Sequence, residues 1–310
     1  MRLIWILFCC FSLFGADYDC IFVGSGPFSL CEALYQSSQG KKVLILEQQK
    51  TCGGAWKAIE VCGLPNVDLG CHTLGSDPII ADFLRNQLHC NLVSQNKPWE
   101  TYNAEIHQDG YYFSGGCFEF INNLLTALLA NGVEIQTSAH VETFQIDRAA
   151  SEVKVICNER YVTASKLFLT QASVVQTENQ TQQIATSKYY HLYLLIADNH
   201  DPKFTQMTER IKGVSRAMNL TFFSGLAGTG KQIIVLQISS ADELNQAGHF
   251  FEELKQHMLV GPQAQLLAHE QYIYEAGRLP HQTKTLAQSN NWIEVLDSNH
   301  ILILARFIEK

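Results

Sequence analysis

The chain has 310 residues, which is enough to bury a sizeable core and to form two domains. Hydrophobic residues make up 46% of it and charged residues 17%, as is ordinary for a globular protein. The formal net charge of −8 and the lack of any basic run argue against a nucleic-acid partner.

Residues 1–16 (MRLIWILFCCFSLFGA) have the layout of a secretory signal peptide. One arginine precedes an apolar run from Leu3 to Phe14, and the small residues Gly15 and Ala16 follow. The run is shorter than the roughly 20 residues that a transmembrane helix needs, so we expect no stable membrane span. We expect an exported protein, located in the periplasm, outside the cell or in the lumen of the secretory pathway. The alternatives are a buried first strand and an anchor at a membrane surface.

A strand, a glycine turn and a helix follow. The hydrophobic pattern predicts a strand at residues 19–23 and a helix at residues 28–38. Gly24-Ser25-Gly26 lies between them, where glycines allow a tight turn and let the backbone approach a pyrophosphate. The helix N-terminus then offers free N–H groups to the phosphates. Ser29 replaces the third glycine of such a turn, so we expect a slightly wider fit of the helix against the strand.

A second strand, predicted at residues 42–46, ends on an acidic residue. Glu47 lies 21 positions after Gly26, where a carboxylate would accept hydrogen bonds from the ribose hydroxyls of a dinucleotide. Strand, turn, helix and acid together predict a Rossmann-type dinucleotide site. The alternative is an ordinary βαβ turn that binds nothing.

A second glycine doublet follows in Cys52-Gly53-Gly54-Ala55-Trp56. With the preceding unit it resembles the glycine-doublet flavoproteins, which include flavin-containing amine oxidases, phytoene desaturases and protoporphyrinogen oxidases. Three later segments resemble that family in the same order. They are residues 67–72, similar to the segment that passes beside the flavin; 113–146, similar to its glycine pair, helix and strands; and 161–173, similar to the strand that returns under the cofactor.

The resemblance implies FAD as the cofactor, and transfer of a hydride from a small organic substrate to the flavin. It implies an α/β fold, with a Rossmann-like FAD-binding domain and a second α+β substrate domain. The implied FAD contacts are Gly24, Ser25, Gly26, Pro27, Glu47, Gly53, Gly54, Trp56, Gly70, Val141 and Ala172.

His72 is the candidate catalytic residue, because a histidine near the flavin could bind substrate or change its charge near neutral pH. The alternative is a histidine that bonds backbone at a turn. Trp56 could cover the flavin edge or pack in the core. Tyr189, Tyr190 and Tyr193 could line an aromatic pocket, or they could be ordinary half-buried sheet residues. No pair of histidine and cysteine has zinc spacing, so no metal site is predicted.

The rest of the chain alternates predicted helices and strands. Helices are predicted at residues 78–88, 117–130 and 241–259, with a short helix or turn at 263–268. A hairpin is predicted at 105–113. Further strands are predicted at 133–136, 141–146, 153–157, 167–170, 187–197, 220–223 and 232–238, and residues 271–279 are expected to return towards the first domain. Residues 301–304 are predicted as the last parallel strand. There the resembling family continues with a Gly-Asp or Gly-Glu pair and a long helix, whereas this sequence has Ala305 and Arg306.

We therefore predict a discontinuous FAD-binding domain made of residues 17–75, 105–175 and 285–310, and a substrate domain made of 76–104 and 176–284. Two other functions stay open. One is a non-catalytic binding protein, because Rab GDP-dissociation inhibitors resemble the N-terminal stretch and bind proteins without flavin. The other is a flavin monooxygenase, because Gly53-Gly54-Ala55-Trp56 resembles that group's G-G-x-W. The absence of a second G-x-G-x-x-G for a nicotinamide cofactor counts against it.

Overall fold

The computed structural model describes residues 16–70, 72, 74–75, 77–94, 110–170, 176–177, 186–197, 208–209, 217–223, 230–277, 281–297 and 304. The strands are β1 (Tyr18–Val23), β2 (Val43–Glu47), β3 (Ala58–Val61), β4 (Leu64–Asp68), β5 (Leu74–Gly75), β6 (Leu92–Ser94), β7 (Gly110–Phe113), β8 (Glu134–Thr137), β9 (Val141–Asp147), β10 (Glu152–Cys157), β11 (Arg160–Thr170), β12 (Gln176–Thr177), β13 (Thr186–Ala197), β14 (Thr208–Glu209), β15 (Ala217–Phe223), β16 (Lys231–Ile238), β17 (Gln265–Gly277) and β18 (Ile293–Leu296). The helices are α1 (Pro27–Ser38), α2 (Pro78–Asn86), α3 (Gly116–Ala130), α4 (Ala247–Gln256) and α5 (His281–Gln288), with 3₁₀ turns at Gly54–Trp56 and Ala241–Glu243.

The first sheet has the strand order β12-β9-β10-β11-β1-β2-β8, with β18 also paired to β11. Its middle is parallel, because β1 pairs in parallel with both β2 and β11, and β18 runs parallel to β11. Both faces are buried, which explains why β2 is apolar up to its last residue. One face packs on α1 and α3, where Phe22 and Phe168 stack with ring centroids 4.4 Å apart. This mixed α/β architecture with a Rossmann-like parallel sheet confirms the predicted fold class.

The second sheet has the order β14-β15-β16-β13-β17 and is antiparallel. Since side chains alternate along a strand, β13 has two different faces. Leu192 and Leu194 lie in one cluster with Phe250 of α4. Tyr193 and Leu195 face the other way and pack against the β3–β4 hairpin. The second sheet therefore meets the segment that leads to Gly70.

Two predicted helices differ from the structure. The one predicted at residues 241–259 is interrupted: a 3₁₀ turn at Ala241–Glu243 precedes α4, which begins at Ala247. The short helix or turn predicted at 263–268 is wrong, because β17 already begins at Gln265 and pairs with β13 along its length. Leu266 packs against the α4 cluster, so tertiary burial decides the conformation of this short apolar stretch.

The last parallel strand also differs. Among the described residues it lies at Ile293–Leu296, ahead of the predicted 301–304. Of those four residues the structure describes only Leu304. It lies in a helical turn and is buried in the same core cluster as Phe22 and Phe168. An apolar run shows that a segment is buried but does not identify it as a strand. Of the hairpin predicted at 105–113, residues 105–109 lie outside the described residues, and Gly110–Phe113 forms β7.

The domain boundaries stay a prediction, with one difference near residue 80. Ile80, Phe83 and Leu84 of α2 lie in the same core cluster as Phe22 and Leu30, although 76–104 was assigned to the substrate domain. The helical spacing of these apolar residues correctly predicts α2, but it does not indicate which sheet, and therefore which domain, the helix packs on.

Candidate functional site at the carboxyl ends of the parallel strands

The glycine turn between β1 and α1 leaves the helix N-terminus open. Gly24 has φ of +95°, a conformation that favours glycine. Gly26 is the N-cap residue and has no side chain to cap the helix, Pro27 is the first helical residue, and the first turn holds no acidic residue. A Cβ added at Gly26 would meet no atom within 4 Å. The turn therefore presents unobstructed backbone and a partial positive charge, which suits a phosphate.

Ser29, at the third glycine position, is buried in the same turn of α1. Its exposed fraction is 1%, and its Oγ has no hydrogen-bond partner in the part of the chain that the structure describes. The helix thus accommodates the side chain at the cost of an unpaired hydroxyl group.

Glu47 is held against the turn by the chain itself. Its carboxylate Oε2 accepts hydrogen bonds from Ser25 N at 2.8 Å and Ser25 Oγ at 2.6 Å, and Oε1 accepts one from Gln49 N at 2.7 Å. The side chain is 7% exposed. A carboxylate offers about four acceptor positions, so these bonds orient Glu47 without using all its capacity. The structure thus places Glu47 beside the glycine turn.

The second glycine doublet lies directly on that turn. Gly53 N donates to Ser25 O at 3.0 Å and to Ser25 Oγ at 3.2 Å. Gly53 and Gly54 have φ of +113° and +57°, and a Cβ added at Gly54 would lie 3.2 Å from Gly26 Cα. Both backbone conformation and close approach therefore require glycine here.

His72 ties the doublet to the segment after β4. Its Nε2 lies 2.7 Å from Ala55 O and 2.8 Å from Leu69 O. Carbonyl oxygens only accept, so Nε2 carries the proton, and Nδ1 is the unprotonated nitrogen of the neutral ring. Burial lowers the pKa of His72, against the opposite effect of the two carbonyls. This is the backbone-bonded arrangement that the sequence left as the alternative to a substrate contact.

Trp56 is partly buried and packs against the core cluster that contains Phe22 and Phe120. Its ring lies 4.9 Å from that of His72 and 5.7 Å from that of Phe120, measured between centroids, and it borders the first core cluster. The packing alternative given for Trp56 is the one that these contacts favour.

Asp68 and Tyr193 are site residues whose roles the sequence did not reveal. Asp68 Oδ1 accepts a hydrogen bond from Cys117 N, at 2.7 Å, at the start of α3. Burial raises the pKa of Asp68 to about 6, although the N–H donors of α3 oppose the shift. The Tyr193 hydroxyl donates to Asp68 O at 3.1 Å and accepts from Gly70 N at 3.2 Å. Strand alternation was the only sequence signal, since it placed Tyr189 and Tyr193 on one face.

His191 lies between those tyrosines on the same face and was not singled out. It is 5% exposed, and its Nδ1 has no partner among the described residues. Burial, and next the neighbouring His72, lower its pKa to about 4. A Cβ added at Gly70 would lie 3.2 Å from His191 Nε2. The imidazole of the second sheet thus packs directly on the backbone of the Gly70 segment.

The remaining predicted contacts fall at the same edge or outside the described residues. Ala139 N donates to Glu47 O at 2.9 Å, which brings Val141, two residues on and 6% exposed, next to the end of β2. Ala172 lies outside the described residues. The correction to the last strand adds Asp297, which directly follows β18. Ligands of open α/β sheets bind outside the carboxyl ends of the strands, where β1, β2, β11 and β18 end here.

Within the described residues, no helix is long and apolar enough to cross a membrane, and no three potential metal ligands lie close enough together to hold an ion.

Comparison with known proteins agrees with this architecture. The family model described as NAD(P)-binding Rossmann-like domain matches residues 23–86. No sequence among the curated proteins matches the chain significantly. An oxidoreductase from Methanosarcina mazei superposes with a TM-score of 0.63 at 13% identity, covering 94% of this chain and 100% of that one. A putrescine oxidase double mutant gives 0.63 at 12%, covering 94% and 98%. The Rab GDI of Plasmodium falciparum gives 0.58 at 11%, covering 91% and 93%.

Identities this low establish the fold alone. Residues 23–86 thus match an NAD(P)-binding Rossmann-like domain, and the chain has a fold similar to that of these oxidoreductase structures.

Proposed function

We propose that the chain is an FAD-dependent oxidoreductase of the amine-oxidase type, which removes a hydride from a small organic substrate. The observation that carries the proposal is the stacked pair of glycine turns. Gly24 and Gly26 leave the N-terminus of α1 open, and Gly54 packs on Gly26 with no room for a side chain. A turn that only reverses the chain does not require two glycine backbones packed together beside a carboxylate, whereas a dinucleotide site does.

The residues present fit the adenosine diphosphate part of FAD. The turn at Gly24 to Gly26 would hold the pyrophosphate, and Glu47 would accept the ribose hydroxyls with its remaining acceptor capacity. Val141 would lie beside the adenine. When bound, the flavin supplies the acceptor for the hydride. The chain's own residues bind and orient the cofactor and exclude water from the cleft.

Asp297 replaces Arg306 as the residue to consider after the last parallel strand. The resembling family has an acidic residue there that holds the ribityl chain and phosphate of the flavin. Because β18 ends at Leu296, Asp297 directly follows this strand and would be the acidic residue of that pair, while Leu296 stands where the family has its glycine.

The test is the visible absorption spectrum of the purified full chain, before and after addition of FAD and gel filtration. We expect flavin bands that stay with the protein, and bleaching by an amine or polyene substrate in anaerobic solution. A folded protein that retains no flavin at high FAD concentration would remove the basis of the enzyme proposal. Glu47→Ala is the matched variant and should weaken retention, whereas Glu159→Ala, in an exposed turn, should not.

A binding protein without flavin is the second candidate. The observation that favours it is that the Glu47 carboxylate already accepts three hydrogen bonds from Ser25 and Gln49. The Rab GDI neighbour has a similar fold. Failure to retain FAD, together with capture of a defined protein partner by the folded chain, would support this candidate.

We also propose that residues 1–16 direct export. The support is the charged, apolar and small-residue order of the sequence. Intact-mass measurement of the protein from its native cell should show loss of this segment. An unprocessed chain in the cytoplasm would contradict the proposal.

A further inference from the structure

Tyr193 makes the only pair of hydrogen bonds, among those described, that joins β13 to the backbone between Asp68 and Gly70. The ring is fully buried. Its hydroxyl donates to Asp68 O and accepts from Gly70 N, at 3.1 and 3.2 Å. One hydroxyl therefore fixes the carbonyl before Leu69 and the N–H after it.

The Gly70 backbone is held from other sides too. His191, two residues before Tyr193, packs on Gly70 Cα from the second sheet, and His72 Nε2 bonds the Leu69 carbonyl from the first domain. Gly70 has φ of +88°, so its peptide plane is set in a conformation that few residues adopt. With its N–H bonded to Tyr193 and His191 packed on one side of its Cα, Gly70 would offer a ligand its carbonyl and the other side of its Cα.

We propose that Tyr193 is a positioning residue, through which the second domain sets the backbone that the flavin contacts. The inference rests on the proposed FAD binding. Under it, affinity for FAD and the electronic environment of the flavin depend on a strand of the substrate domain that contributes no atom to the dinucleotide turn. Binding of FAD and docking of the second sheet are then coupled, since each stabilises the same conformation of residues 68–70.

The test compares Tyr193→Phe with Tyr189→Phe in the full chain. Both variants remove one hydroxyl from the same face of β13, but Tyr189 is 40% exposed. We expect Y193F to raise the Kd for FAD about tenfold, from the loss of two hydrogen bonds to buried backbone groups, and to shift the flavin reduction potential. Y189F should change neither quantity.

A Y193F protein that melts earlier, yet binds FAD with unchanged Kd and potential, would overturn the proposal, because Tyr193 would then only stabilise the fold. If the unmodified chain binds no FAD, the proposed function fails first and the inference falls with it.

Hydrogen exchange on the unmodified chain keeps the proposal testable if Y193F does not fold. Addition of FAD should slow exchange in residues 67–70 and 186–197 together with the glycine turn. Slowing confined to the turn and α1 would overturn the coupling.

Discussion

Ser25→Ala tests whether the Ser25 hydroxyl holds the carboxylate, the turn and the second glycine doublet together. Its Oγ donates to Glu47 Oε2 at 2.6 Å and accepts from Gly53 N at 3.2 Å, and Ser25 is fully buried. Alanine removes both bonds and the side-chain hydrogen bond between Ser25 and Cys52. The Ser25 N–H still bonds Glu47, and the Ser25 carbonyl still accepts from Gly53.

These remaining bonds set the size of the effect. A buried bond to a carboxylate contributes roughly 1.5–3 kcal/mol and one to a neutral amide about 1 kcal/mol. Neither Glu47 nor Gly53 is left without a partner, so the full penalty of an unsatisfied group does not apply. We expect a loss of about 2 kcal/mol in the free energy of unfolding.

Urea unfolding followed by far-UV circular dichroism measures the change, provided that the m-value stays constant. Ser38→Ala is the matched control, because Ser38 also donates to a carbonyl but is exposed at the end of α1. It should change stability by less than about 0.5 kcal/mol. Equal effects of the two variants would refute the assigned role of Ser25.

Three further predictions concern the same region. Gly54→Ala should lower the free energy of unfolding by about 2–3 kcal/mol, because φ of +57° is strained for alanine and the new Cβ would lie too close to Gly26 Cα. Gly248→Ala is the control. A Cβ at this position in α4 would meet no atom within 4 Å, so the substitution should raise the free energy of unfolding by about 0.5–1 kcal/mol. Asp68 has its pKa raised in the folded state, from 3.8 to about 6, so its contribution to stability is greatest below pH 4 and is lost as the pH rises to 6. Asp68→Asn should remove a pH dependence on the order of 3 kcal/mol. His191 has its pKa lowered from 6.5 to about 4, so its contribution is present above pH 6.5 and is lost as the pH falls to 4; His191→Phe should remove a dependence on the order of 3 kcal/mol.

The measurements are urea unfolding for the glycines, and the same experiment from pH 4 to pH 7 for the titrating pair. Because Asp68 and His191 act with opposite sign over this range, their effects partly cancel in the unmodified chain. D68N should steepen the gain of stability with rising pH, and H191F should reverse it. Parallel pH profiles for both variants would show that neither group titrates as its burial indicates. A G54A protein as stable as G248A would contradict the close approach of the two turns.

The sequence predicts the parts of the structure that depend on interactions between residues close together in the chain. β1, α1 and β2 follow from apolar periodicity and the glycine turn, which act over a few residues. Apolar periodicity did not identify β18. Ile293–Leu296 contains Glu294, whose side chain pairs with Lys166, so this segment is less apolar than residues 301–304.

The site divides in the same way. Gly24, Gly26 and Glu47 belong to one motif and can be found from spacing. The bond from Cys117 to Asp68 joins residues 49 apart, and that from Gly70 to Tyr193 joins residues 123 apart. No local pattern encodes such pairs, because the same aspartate or tyrosine would satisfy its hydrogen bonds elsewhere in another fold. For His72 the sequence identified the residue, but only the structure shows its hydrogen bonds to two carbonyl oxygens.

The position of β1 in the middle of the parallel sheet constrains how the chain is made. β1 pairs with β2 close by, but its other neighbour is β11, where Tyr18 opposes Ala164, and Asp17 N bonds Thr163 Oγ1 across a separation of 146 residues. During synthesis β1, α1 and β2 emerge long before β11. The apolar edge of β1 that pairs with β11 therefore stays unpaired until β11 has been made. Pairing over such separations is slow and leaves time for strands of different molecules to associate. Refolding yield should therefore fall with protein concentration, even if the finished molecule is stable.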